Sequence, residues 1–326
     1  MKISIARLRS GCNYKEPLHD VMDSFYELYK EYISKNTQHT YGVCNFGWNS
    51  DNRKYIDDIV DSDVVIIPSE NEFHQHISGY VHTKQKARSD EFVAKIGQHL
   101  SNKHLVIIRS DRADNEELYR TRTFKDYPIG KFSIFDETDI PGGLHGMKYH
   151  FIKSAYNPLF EEEKIYDFIY WGCDKRKLID NKDSGDTRHL FFQQLRKDNK
   201  IKSYLIGKYN KLEADRKIDT MYNLLCNLHQ GKSTICFNWL DSTAVTSRYH
   251  EAMACDLLPF VWDNYDSNNT IIADQWQRVN SIEEFYDKMN EVDSKFESIK
   301  EYYLTNTLKP REWYYTKFEQ RMNEIL

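Results

Sequence analysis

Short apolar runs rich in β-branched residues alternate along the chain with longer amphipathic stretches. In the first half KISIAR, YGVCNF, SDVVIIPS and HLVIIRSD read as strands, and His19 to Lys35 and Ser89 to Leu100 read as helices. Short, fully apolar strands separated by helices predict a parallel sheet covered on both faces. From residue 127 to 164 the periodicity weakens and Gly, Pro and aromatic residues accumulate, as in DIPGGLHGMKYHF, so a domain boundary is expected at Asn157 to Lys164. A second series follows: strands at YDFIYWG, KSYLIGKY, STICFNW and DLLPFVWD, with helices over Thr187 to Lys197, Thr220 to Gln230 and Ser247 to Ala254. The chain closes on PREWYYTKFEQRMNEI, a helix with an aromatic stripe.

The pattern therefore predicts an α/β protein with two Rossmann-like domains facing a central cleft, and a C-terminal helix. Residues 1–160 form the first domain and 161–326 the second, with the terminal helix packing back on the first. A length of 326 residues agrees with two cores, since single cores stop growing near about 250 to 300 residues. Open α/β sheets bind ligands at the carboxyl ends of their strands, which places the chemistry in the crevice between the domains.

Composition narrows the class. Hydrophobic residues make up 40% and charged residues 29%, a globular balance. The six cysteines never fall at C-x-x-C spacing, which points to small buried side chains in a reducing compartment. No apolar run reaches the roughly 18 residues of a membrane span, and the N-terminus reads as a strand, so a cytoplasmic monomer without membrane contact is expected. The net charge of -5 argues against nonspecific nucleic-acid binding by the whole surface and confines any such contact to a local patch.

The sharpest local signal is SRYHEAMACD, Ser247 to Asp256, after a strand and a polar loop. On a helix Arg248 and Glu251 share a face. An Arg at a helix start offers a planar donor fork to phosphate, and a carboxylate three residues on can accept both hydroxyls of a ribose. Spacing alone is equally compatible with an ordinary surface ion pair.

This stretch resembles the nucleotide-sugar motif of the GT-B glycosyltransferases, and most closely that of the DNA glucosyltransferases of T-even phages. In that family an Arg-x-x-Glu-x-Met-Ala segment binds the diphosphate through Arg and the ribose through Glu, and Arg248, Glu251, Met253 and Ala254 match it. The resemblance continues through TIIADQWQRVNSIEEFYDKMNEV and the terminal segment, and upstream through DFIYWGCDKR, where it implies phosphate contacts for Lys175 and Arg176, with Arg188 as a further candidate. The following KLIDNKDSGDT is longer than the family loop. Backbone amides at Ile206, Gly207 and Ile218 map to the uracil pocket, although the same residues serve equally well as packing positions.

In the first domain HLVIIRSDRAD brings Asp111 to the carboxyl end of a strand, where the family carries an Asp that in its inverting member is the general base. The competing roles are an N-cap for DNEELY or a partner for Arg109 or Arg112. Asp20 falls where the family has an acidic residue contacting the sugar or acceptor. Basic residues cluster in HTKQKARSD (Lys84, Lys86, Arg88) and in the segment from Arg109 to Lys125, as a groove for phosphate backbone requires. Phe46, Trp48, Phe73 and Tyr80 are aromatic candidates for gripping a flipped base.

The expected activity is transfer from a UDP-sugar, glucose or arabinose, to the hydroxymethyl group of a modified pyrimidine, above all hydroxymethylcytosine, in duplex DNA of a phage. Inversion with Asp111 as base is the primary expectation. RLRSGCNY and EAMACDLLPFVWDNYDSNN also resemble the α-linking members, which keeps retention open. A divalent ion is compatible with the motif and not required by it, and the D-x-D at Asp61 to Asp63 reads as a strand cap. The alternatives are a GT-B enzyme acting on a cell-envelope glycan or a small molecule, and an inactive UDP-sugar-binding module.

Overall fold

The computed structural model describes residues 1–8, 28, 31–32, 34–36, 40–46, 60–67, 99–109, 130–136, 144–155, 163–173, 178–179, 182–183, 186–208, 214–216, 221–237, 247–262 and 273–326. Its contacts divide the chain into two compact units. One comprises Met1–Pro17, Val21–Ile140 and Glu312–Leu326, the other Leu18–Asp20 and Pro141–Arg311.

The first unit carries five parallel strands, β1 (Lys2–Leu8), β2 (Thr40–Phe46), β3 (Val64–Ile67), β4 (His104–Arg109) and β5 (Lys131–Asp136). They lie in the order β2-β1-β3-β4-β5. Ile3, Val65, Ile66, Leu105 and Val106 are fully buried, the continuous apolar run expected of parallel strands covered on both faces. The D-x-D residues tie the sheet's amino edge together: Asp63 Oδ2 accepts the Lys2 amide at 2.7 Å, and Lys2 Nζ lies 3.8 Å from Asp61. The chain's last helix belongs to this unit, with Tyr32 Oη donating to Asn323 Oδ1 at 2.9 Å and packing edge-on against Phe318.

The second unit repeats the plan. Strands β6 (Tyr166–Cys173), β9 (Ser203–Lys208), β10 (Gly231–Cys236), β11 (Leu258–Trp262) and β12 (Arg278–Val279) form a parallel sheet in the order β12-β11-β10-β6-β9. Counted from β6, this is the same succession as in the first sheet, with the reversal of strand order between β6 and β10. Between β6 and β9, Leu178–Ile179 (β7) and Lys182–Asp183 (β8) form a short antiparallel ladder inside KLIDNKDSGDT.

The helices include α1 (Met147–Ala155), α2 (Asp186–Asp198), α3 (Met221–His229), α4 (Arg248–Ala254), α5 (Ile282–Met289), α6 (Val292–Tyr302) and α7 (Arg311–Ile325). Strand alternation on β6 divides the core: Phe168 and Tyr170 pack with Phe191, Phe192 and Phe285 on one face, and Ile169 and Trp171 with Leu224, Leu225 and Ala252 on the other. Helices therefore cover both faces of this sheet, as in doubly wound folds. None of the described helices is long and apolar enough to cross a membrane.

Two elements fall in the segment that reads as weakly periodic, β5 and α1. Residues 141–160, expected with the first domain, group with the second unit, because α1 packs on α4 and sends Lys148 to Glu251.

Candidate functional site

The reversal of strand order between β6 and β10 marks where a ligand is expected in such a sheet. Trp171 and Gly172 near the end of β6, and Cys236 closing β10, bring the chain to that point. Arg248, the first residue of α4, reaches the same place. Its Nη2 donates to the Trp171 carbonyl at 2.8 Å, and its guanidinium lies 4.5 Å from the Tyr170 ring centroid. The ring face and the carbonyl fix the plane of the fork.

Two glycines make room for this. Gly172 has φ +127, and a Cβ there would lie 2.8 Å from Arg248 Nη2. Gly207, paired with Gly172 across β6 and β9, has φ +132, and a Cβ there would overlap the Gly172 carbonyl oxygen. L side chains rarely adopt such φ values. Gly207→Ala is therefore expected to destabilise the second unit by about 3 kcal/mol or more, read as a lowered urea midpoint.

Glu251 is buried one turn into α4. Its Oε1 accepts from Lys148 Nζ at 2.6 Å and from Ser247 Oγ at 2.8 Å, while Oε2 accepts from Trp171 Nε1 at 3.0 Å. Burial opposes the charge, but the Lys148 ammonium, the hydrogen bonds from Lys148 and Ser247, and Arg248 outweigh it and bring the carboxyl down to about 2. The pair is not a surface i, i+3 ion pair: Glu251 bonds to Lys148 on α1, and Arg248 to the backbone of β6. Lys148 has no signature in the sequence, because a lysine in a helical segment reads as solvated and its partner lies 103 positions away.

Next to Glu251, His250 is buried and shares its Nδ1 with Tyr303 Oη at 2.8 Å; burial brings the imidazole down to about 3, so the ring is neutral at physiological pH. Arg188, in the first turn of α2, places its guanidinium 5.6 Å from the ring centroid of Phe237, the residue after β10. Two arginines thus stand over aromatic faces near the ends of β6 and β10.

The remaining sequence candidates divide clearly. The Gly207 amide donates to the Arg216 carbonyl at 2.7 Å, within the strand extension. The Ile206 side chain is buried in the core with Trp171 and Leu224. Asp20, Asp111, Lys175, Arg176 and Ile218 lie outside the described residues, as do Lys84, Lys86, Arg88, Trp48, Phe73 and Tyr80. Of Arg109 and Phe46 only the strand backbone is described. Among the described residues, no group of three or more His, Cys, Asp or Glu side chains is arranged to hold a metal ion.

No protein-family model matches the chain, and a search of curated proteins finds no match. Solved structures do match. The DNA-modifying enzyme β-glucosyltransferase, determined in the presence and absence of uridine diphosphoglucose, superposes with a TM-score of 0.59 at 15% identity, over 99% of this chain and 100% of that one. The chain has the fold of the DNA β-glucosyltransferases. A mutant of the T4 phage enzyme in complex with UDP-glucose gives 0.61 at 16% identity, and the T4 phage enzyme with UDP and Mn2+ gives 0.61 at 14%, each with the same coverage. The correspondence runs along the whole of both chains, so it includes the two parallel sheets and the terminal helix.

Proposed function

We propose that the chain is a UDP-sugar-dependent glycosyltransferase that glycosylates the hydroxymethyl group of a modified pyrimidine, hydroxymethylcytosine above all, in duplex DNA. The observation that carries this reading is the position of Arg248. In a fold whose solved counterparts bind UDP-glucose, it stands at the strand-order reversal of the second sheet, its guanidinium fixed by Trp171 and Tyr170. A fixed guanidinium there suits a nucleoside diphosphate, and Arg188 adds a second positive charge near the same edge. The donor is UDP-glucose, the ligand of the solved counterparts; those ligands give no support to arabinose.

In the reaction proposed, the acceptor hydroxyl oxygen attacks the anomeric carbon, the bond from that carbon to the diphosphate breaks, and UDP departs with the electron pair. Asp111 takes the hydroxyl proton, and displacement from the opposite side inverts the centre. Arg248 stabilises the charge that grows on the leaving diphosphate. Lys175 and Arg176 are assigned to the same phosphates, and Asp20 to the sugar or acceptor side. A divalent ion is compatible with this reading and not required by it, since Arg248 and Arg188 already supply positive charge for the leaving diphosphate. The target base must leave the stack to reach the site. A net charge of -5 favours a non-DNA acceptor such as a cell-envelope glycan, against which the basic segments from Lys84 to Lys125 weigh.

Incubation with UDP-sugars and duplexes containing hydroxymethylcytosine or hydroxymethyluracil, followed by nucleoside mass spectrometry, tests the proposal. A hexose-sized mass gain on one modified nucleoside is expected with UDP-glucose. No gain on any duplex, with UDP still bound, would point to a different acceptor or to an inactive module.

A further inference from the structure

Glu251 has fewer free acceptor positions than ribose recognition by a lone carboxylate requires. A carboxylate offers about four lone-pair positions. Three are filled, two on Oε1 by Lys148 and Ser247 and one on Oε2 by Trp171. A vicinal diol donating both hydroxyls to Glu251 would have to break one of these bonds. Breaking the bond to Lys148 would strand a buried ammonium, since both members of that pair are almost wholly shielded from solvent. Ser247 Oγ is an economical second acceptor. It donates to Glu251 Oε1, and Lys148 Nζ lies 3.3 Å from it, so one of its two lone pairs remains.

Resting on the reading of this site as a UDP-sugar site, we propose that Lys148 is a positioning residue that holds Glu251 as an ionised acceptor, and that the ribose hydroxyls are shared between Glu251 Oε2 and Ser247 Oγ. Three observations converge on this: the 2.6 Å contact from Lys148, the hydroxyl of Ser247 turned toward Glu251 instead of capping α4, and the Trp171 indole holding the second carboxylate oxygen. Ser247 makes no side-chain cap bond to the helix backbone, so its orientation is set by the carboxylate.

Besides Lys148, the charged or titratable groups around Glu251 include Arg248 and His250 on its own helix, Cys255 just beyond it, and the buried His145 just before α1, which acts electrostatically on His250. His250 is held neutral by burial, and burial pushes the Cys255 thiol up, so neither replaces Lys148 as a counter-charge. With Lys148 removed, burial acts on Glu251 with less opposition and raises its pKa. A protonated Glu251 offers one acceptor position fewer and carries a proton toward the sugar. Ribose recognition should then fail at low pH and return as pH rises through the new value.

The test is calorimetric binding of UDP and of 2′- and 3′-deoxy-UDP by the full chain, at about pH 6 and about pH 9. Titration of the terminal phosphate is common to the three ligands and cancels in their ratios. Wild type is expected to prefer UDP over at least one deoxy analogue by about tenfold at both pH values, the worth of one hydrogen bond. In Lys148→Met the preference should fall to within about twofold at the lower pH and recover at the higher, with Lys148→Arg retaining it. Ser247→Ala should abolish discrimination against one analogue alone. A Lys148→Met protein that discriminates as wild type does at both pH values overturns the positioning role. Should that variant not fold, Ser247→Ala decides: unchanged discrimination against both analogues overturns the shared arrangement. Wild type that binds UDP without discrimination also overturns this inference while leaving the UDP-sugar reading intact, whereas wild type that binds neither UDP nor UDP-glucose removes that reading itself.

Discussion

Arg248→Ala is expected to weaken UDP binding about 100-fold, the loss of charge-assisted contacts worth about 1.5 to 3 kcal/mol. Two features of the site make the effect large. The guanidinium is fixed before any ligand arrives, by the Trp171 carbonyl at 2.8 Å and the Tyr170 ring at 4.5 Å, so little rotamer entropy remains to be lost on binding. The diphosphate would also meet it beside Gly172, where no side chain intervenes. Arg248→Lys should recover only part of the loss, because an ammonium cannot donate to the Trp171 carbonyl and present a planar fork to phosphate together. The calorimetric readout should carry a salt signature: the wild-type affinity falls with ionic strength, and the variant's falls less steeply. Folding should change little, since Arg248 stands beyond the carboxyl ends of the strands and the core below is apolar. A variant that binds UDP within a factor of about two of wild type would exclude Arg248 from the diphosphate contact.

Most of the parallel strands, and the second unit's helices α2, α3 and α4, were legible because the sequence there alternates short runs of β-branched and aromatic residues with amphipathic stretches, and such runs read alike wherever they occur. β5 and α1 were not legible, for different reasons. KFSIFD lies at the sheet's edge in a stretch flanked by Gly and Pro, where strand and loop patterns coincide. In α1 the buried positions include Lys148, and His145 is buried just before the helix, so polar residues stand where an apolar stripe would announce a helix. Arg248 and Glu251 were visible as a pair, but their partners were not. Lys148 lies on another helix, and the roles of Gly172 and Gly207 depend on positive φ values and a close approach that appear only once β6 and β9 pair. Sequence could name the residues that meet a ligand more readily than those that hold them in place, because the holding contacts span about a hundred positions.

Replacing Asp111 with Ala or Asn is expected to lower the turnover of UDP-glucose with modified DNA by about 10²- to 10⁴-fold, the range for loss of a general base. UDP affinity should stay near wild type, since the donor contacts are assigned to Arg248 and Glu251 in the other compact unit. In sequence Asp111 comes two positions after Arg109, the last residue of β4, and parallel sheets place catalytic groups after the carboxyl ends of their strands. The separation of effects is the informative part. A base acts on the acceptor's proton in the transition state, so its loss lowers kcat and kcat/KM together and leaves ground-state donor binding alone. A helix cap or an ion-pair partner for Arg109 or Arg112 would instead cost stability, by about 0.5 to 2 kcal/mol, with turnover falling only as far as the folded population falls. Asp111→Asn separates the two roles, because an amide still caps a helix and cannot accept the hydroxyl proton. Full activity in the Asn variant, with UDP binding intact, would take the base away from Asp111; loss of both activity and folding in Ala but not Asn would make it a cap.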